Sequence, residues 1–204
     1  MKLLKYATLI GAVCAAFAMQ SAKADTFTSS LDFGNDAIAG FLQPGEQFGT
    51  VTVDVTGTVA TITFTANTAG GFEFIDTSAA AVNVANPGSA ALVTDTEFKE
   101  FSSKNAVNGF GSFNLTVNNN DGSGSPVDTI SFTVDVASGT SAADVLLLNA
   151  SGFDAAAHIS VNGGVATGFA GEAPGGRVPD SGTTAMLLGT ALAGLGFVRR
   201  YLKH

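Results

Sequence analysis

The stretch Phe48-Gly49-Thr50-Val51-Thr52-Val53-Asp54-Val55-Thr56, continued by Gly57-Thr58 and Val59-Ala60-Thr61-Ile62-Thr63-Phe64-Thr65-Ala66, decides the fold class. Val51, Val53 and Val55 alternate with Thr50, Thr52 and Asp54; Ala60, Ile62, Phe64 and Ala66 alternate with Thr61, Thr63 and Thr65. A period of two puts each set on one face of an extended chain, so both runs read as strands buried on one side. The glycine-containing turn between them makes the pair a hairpin.

Working outward, the same grammar recurs. Phe72 and Phe74 flank Glu73 in a third short run, and 81–84 is a weaker fourth, closed by Asn86-Pro87-Gly88. Residues 94–105 are ambiguous: Thr94-Asp95-Thr96-Glu97 fits a capping box, and Phe98 with Phe101 lies on one face of a helical turn, which predicts a loop with one turn of helix. Phe113, Leu115 and Val117, then Ile130, Phe132, Val134 and Val136, predict a second hairpin joined by the polar tract 118–126. Ser141 to Asp144 reads as a cap before a short helix, and 158–161 as the last strand. No repeat of 20 to 50 residues is present, which excludes a solenoid. The expected architecture is all-β: one antiparallel β-sandwich of about eight strands over 25–161, with a jelly-roll variant as the alternative. Residues 162–177 hold six glycines and Pro174 and read as a flexible linker.

The two termini read as addresses. Lys2 and Lys5 precede an apolar run from Leu9 to Met19, and Ala22-Lys23-Ala24 is a small-x-small site, so 1–24 is expected to be a signal peptide cut before Asp25. The one cysteine, Cys14, would leave with it, which excludes thiol catalysis, disulfides and cysteine-bound metal in the exported body. At the other end stand Val178-Pro179-Asp180-Ser181-Gly182, an uncharged segment 183–198, and a basic tail 199–204 with Arg199, Arg200 and Lys203. Pro179 breaks any preceding helix and Asp180 or Ser181 can cap the next one. The 16 uncharged residues would span about 24 Å as a helix, against a hydrocarbon core of about 30 Å. Arg199, Arg200 and Lys203 would hold their end on the cytoplasmic side of the inner membrane.

This order of blocks resembles the exosortase sorting signals called PEP-CTERM, in the VPDSG-CTERM form. The resemblance covers 178–204 and implies Sec export, transient residence in the inner membrane, recognition by an exosortase, loss of the tail, and delivery to the cell surface or the extracellular polysaccharide matrix. Within the body, 48–53, 71–77, 108–113 and 143–155 are similar to segments found ahead of such tails in small β-rich surface proteins.

Between Asp25 and Arg177 there are 16 acidic and three basic residues, a net charge of −13. Such a body repels nucleic acid and anionic surfaces, which leaves neutral glycans or divalent cations as permitted ligands. Chemistry is sparse. His158 is the only histidine of the body and forms no constellation, and no Gly-x-Ser-x-Gly elbow is present, so an enzyme is not expected. Asn119, Asp121 and Asp128 surround a glycine-containing turn and are the calcium candidates, but with Gly122 at the sixth position Val117 falls where an EF-hand needs Asp. No resident cofactor is expected. Sugar sites stack rings on Trp or Tyr; the body has neither, leaving an exposed Phe such as Phe72 or Phe169. The Thr-x-Thr rows at 50–52 and 61–65 resemble ice-binding faces, although the β propensity of threonine accounts for them without that role. The expected function is a structural or adhesive component of the surface or matrix, the alternative a binding module for neutral glycan or calcium.

Overall fold

A computed structural model of the chain describes residues 25–93, 98–103, 105–119 and 125–172. In chain order the strands are β1 (Asp25–Leu31), β2 (Phe33–Gly34), β3 (Gly49–Thr56), β4 (Val59–Ala66), β5 (Phe72–Phe74), β6 (Ala80–Val82) and β7 (Ala91–Leu92). They continue with β8 (Phe98–Ser102), β9 (Asn105–Val107), β10 (Gly111–Phe113), β11 (Leu115–Asn119), β12 (Thr129–Asp135), β13 (Ala155–Val161) and β14 (Ala166–Gly171). One sheet has the order β1-β3-β4-β12-β7. The other runs β2-β14-β13-β6-β11-β8, with β5 also paired to β13, and β9 and β10 form a separate small hairpin. The fold is all-β, and every strand pairing is antiparallel. Helical structure among the described residues is limited to short 3-10 turns, and no helix there is long and apolar enough to cross a membrane.

The hairpin at 48–66 forms as the alternation predicts. β3 and β4 pair from Gly49 opposite Ala66 to Thr56 opposite Val59, around Gly57, whose φ of 66° suits a residue without Cβ. Val51, Val53, Ala60, Ile62 and Phe64 are fully buried, each large side chain contributing about 1.5–3 kcal/mol of transfer free energy. They face β5, β6, β11 and β13 of the other sheet across one shared core, where Phe64 meets Phe74 edge-on at 6.1 Å and stacks with Phe132 at 6.4 Å. Phenylalanine fills this interior: Phe64 and Phe132 lie in it as their alternation predicts, whereas Phe113, which alternation also places inward, packs in a separate cluster with Phe110 and Phe153.

Several expectations give way. Residues 113–136 do not form a hairpin: β11 pairs with β6 and β8, whereas β12 pairs with β4 and β7, so the two runs lie in different sheets. Alternation gave the buried face of Leu115 and Val117 and of Ile130, Phe132 and Val134, but period alone carries no information about partners. Residues 98–102 are strand β8 rather than a helical turn, because pairing with β11 outweighs a local two-phenylalanine signal. The Thr94–Glu97 box lies outside the described residues. The expected short helix is a 3-10 turn, Ala142–Asp144, in which Ser141 Oγ donates to Asp144 Oδ2 at 2.6 Å instead of capping a backbone N–H.

The linker expected over 162–177 contains β14, so the last strand is not 158–161. Gly163 and Gly164 take φ of 67° and 98° in the turn out of β13. Gly168 and Gly171 are there for room. A Cβ on Gly171 would sit 2.6 Å from the Phe110 ring, and one on Gly168 would sit 2.6 Å from Asn35 Oδ1. Glycine marks close packing at these two positions, whereas composition alone reads it as slack. The expected signal peptide, sorting motif and membrane helix lie outside the described residues.

Candidate functional site

Of the residues expected to direct export, only Asp25 is described. It opens β1, opposite Val55, and its Oδ2 accepts a 2.7 Å bond from Ala142 N, so the anticipated cleavage bond abuts the first strand. Ala22, Ala24, Val178–Gly182, Arg199, Arg200 and Lys203 lie outside the described residues, and no geometry is assigned to them.

Of the calcium candidates, Asn119 ends β11 in one sheet and Asp128 is exposed just ahead of β12 in the other, while Asp121 lies outside the described residues. No cluster of three His, Cys, Asp or Glu side chains occurs among the described residues. An open groove of about 400 Å³ runs between 84–86 and 135–145 and includes Asp135, Asp144 and Asn86. Two of its polar side chains are engaged internally: Asn86 Nδ2 donates to the Asp135 carbonyl at 3.1 Å, and Ser141 Oγ donates to Asp144 Oδ2 at 2.6 Å.

His158 lies on the outer face of the second sheet, stacked on Phe169 with ring centroids 4.4 Å apart and planes 24° from parallel. Its Nδ1 is buried without a hydrogen bond of normal geometry. Burial pushes the imidazole below its ordinary pKa of 6.5, partly opposed by the Asp76 carboxylate and the backbone at Thr77. A neutral ring pinned on phenyl is a packing arrangement. Of the two phenylalanines considered for sugar stacking, Phe72 is 1% exposed and belongs to the core, against Phe48 at 4.8 Å. Phe169 is half-buried, and its ring face is taken by His158.

The outer face of the first sheet is different in kind. Strand registers align its outward side chains in three ranks across four strands: Ser30–Thr50–Thr65–Thr129, Thr28–Thr52–Thr63–Ser131 and Thr26–Asp54–Thr61–Thr133. Eleven of the twelve positions carry a hydroxyl and the twelfth is Asp54. Neighbours are about 4.8 Å apart across strands and about 6.7 Å apart along them. In the second rank Thr28 and Thr52 hydroxyls lie 3.5 Å apart and those of Thr63 and Ser131 3.0 Å apart; in the third, Thr26 Oγ1 donates to Asp54 Oδ1 at 2.5 Å. Ser30, Thr50, Thr65 and Thr129 make no side-chain hydrogen bond among the described residues, so the whole first rank is unengaged. Sequence reading found the β3 and β4 members. It missed Thr26, Thr28, Ser30, Thr129, Ser131 and Thr133, whose outward alternation is present in the chain but whose alignment requires the pairings of β1 and β12.

Residues 177–202 match the VPDSG-CTERM motif, in agreement with the sorting signal read in the sequence. No curated protein and no solved structure matches the chain.

Proposed function

We propose that this protein, whose VPDSG-CTERM motif marks it for export and C-terminal sorting, is processed by an exosortase after Sec export and acts at the cell surface or in the extracellular matrix as a structural or adhesive component. The motif match carries the reading: a recognition pentapeptide, an uncharged segment and a basic cluster stand in the order a membrane-embedded processing enzyme requires. The body suits such a location. It has no thiol to oxidise, it draws its cohesion from a phenylalanine-rich core, and its net charge of −13 keeps it soluble. In this reading no resident cofactor takes part, and extracellular polysaccharide is the partner.

The test is the intact mass of the endogenous protein in inner-membrane, surface and medium fractions. The expected surface species starts at Asp25 and lacks 183–204. Retention in the inner membrane with the tail intact would overturn the sorting reading and leave a membrane-anchored domain.

A further inference from the structure

We propose that the hydroxyl-bearing outer face of the first sheet is a docking face for a neutral polysaccharide chain. This deepens the adhesive reading above and rests on it for its setting, but its test is a binding measurement independent of export.

The chemistry of the face selects the occupant. Every outward position of the three ranks except Asp54 is Thr or Ser, each hydroxyl able both to donate and to accept, and no ring or cation is among them. A partner must therefore be rich in hydroxyls itself and must bring little charge. Anionic polymers are repelled, since Asp54 lies within the array, Asp135 ends β12 at its margin, and the body as a whole is acidic. The same net charge of −13 opposes a second copy of the chain on this face.

Geometry separates a polymer from a crystalline surface. Adjacent strands in a sheet are rotated by about 20–25°, so four strands turn the ranks progressively and do not hold them coplanar against a rigid lattice. A glycan chain follows such a twist by rotating about its glycosidic bonds. The row Ser30–Thr50–Thr65–Thr129 gives it four unengaged hydroxyls over about 14 Å, flanked by threonine methyl groups that can contact the less polar faces of the sugar rings. Without an aromatic platform each contact is weak, and retention comes from repetition along the polymer.

The experiment is co-sedimentation of the full-length chain in detergent with insoluble cellulose, β-1,3-glucan, mannan and the polysaccharide of the producing cells, with alginate gel as the anionic control. Wild type is expected to be retained on at least one neutral polymer and not on alginate. The double variant Thr50→Val and Thr65→Val keeps shape and β propensity and removes two free hydroxyls; its retention should fall about tenfold. The companion Thr50→Ser and Thr65→Ser restores the hydroxyls and should restore binding, which separates lost chemistry from lost fold. Absence of retention on every neutral polymer, equal retention of the valine variant, or binding to alginate alone would overturn the proposal. Thermal hysteresis abolished by the valine variant would overturn it in favour of ice.

Discussion

The two sheets present opposite solutions on their outer faces. On the second sheet, Ala81, Ala156 and Gly171 leave space into which Phe110, Phe113 and Phe153 pack as a satellite core, roofed by the β9–β10 hairpin and the loop 149–153. Asn149 holds that roof in place: its Oδ1 accepts from Ser151 N at 2.9 Å and Phe153 N at 3.0 Å, and its Nδ2 donates to the Phe110 carbonyl at 2.7 Å. On the first sheet the outward residues of the three ranks are threonines, serines and Asp54, and all but the buried Ser131 are at least partly exposed. A covered face commits its side chains to stability, whereas on the other face the hydroxyls of Ser30, Thr50, Thr65 and Thr129 make no side-chain hydrogen bond among the described residues.

That contrast predicts a ranked set of effects. Phe110→Ala should be the largest, because the ring packs on Phe153 at 4.9 Å, on Phe33 at 6.0 Å and over Gly171; a loss of about 3–5 kcal/mol is expected in urea unfolding. A loss below about 1 kcal/mol would mean that the roof is not a cooperative part of the fold. Gly171→Ala drives a methyl into the same ring and should cost about 1–3 kcal/mol, whereas the linker reading of 162–177 predicts no loss; thermal melts of the two proteins decide.

His158 sharpens the comparison through pH. Its folded pKa lies below the unfolded value of 6.5, so the unfolded chain binds the proton more readily. The contribution of the neutral ring is therefore present above pH 6.5 and is lost as pH falls through the folded pKa. His158→Gln should be less sensitive than wild type over that interval in parallel unfolding curves; equal slopes would show that the ring is not desolvated as described. The smallest effect belongs to the bare face. The Thr50→Val and Thr65→Val pair should leave stability within about 0.5 kcal/mol of wild type, since these hydroxyls bond to nothing within the described residues. A larger loss would place them in the folding energetics and remove the contrast.

Legibility followed the same division. Val51 to Phe64 announced their strands, their faces and their hairpin, because partners separated by a two-residue turn are also neighbours in sequence. Phe132 announced its face but not that Ile62 would sit opposite it, and Val117 gave no sign that its neighbours would be Ala80 and Phe101. The threonine rows at 50–52 and 61–65 were visible as rows. Their extension to Ser30 and Thr129 was not, since nothing local records which strands flank a hairpin. Gly168 and Gly171 misled because a glycine required by a neighbouring ring looks the same in sequence as one required by a flexible chain.

The sequence by itself determined what depends on contiguous residues: the all-β class, the hairpin at 48–66, the acidity and thiol-free character of the body, and the sorting motif, which a processing enzyme reads as a linear segment. Only the tertiary structure decided which sheet each later strand joined, that β14 completes the second sheet, that His158 is buried on Phe169, and that the hydroxyls of four strands align into one face. Those outcomes rest on pairings between segments far apart in the chain. An alternating strand specifies a buried side and leaves its partner to be chosen by the packing of the whole core.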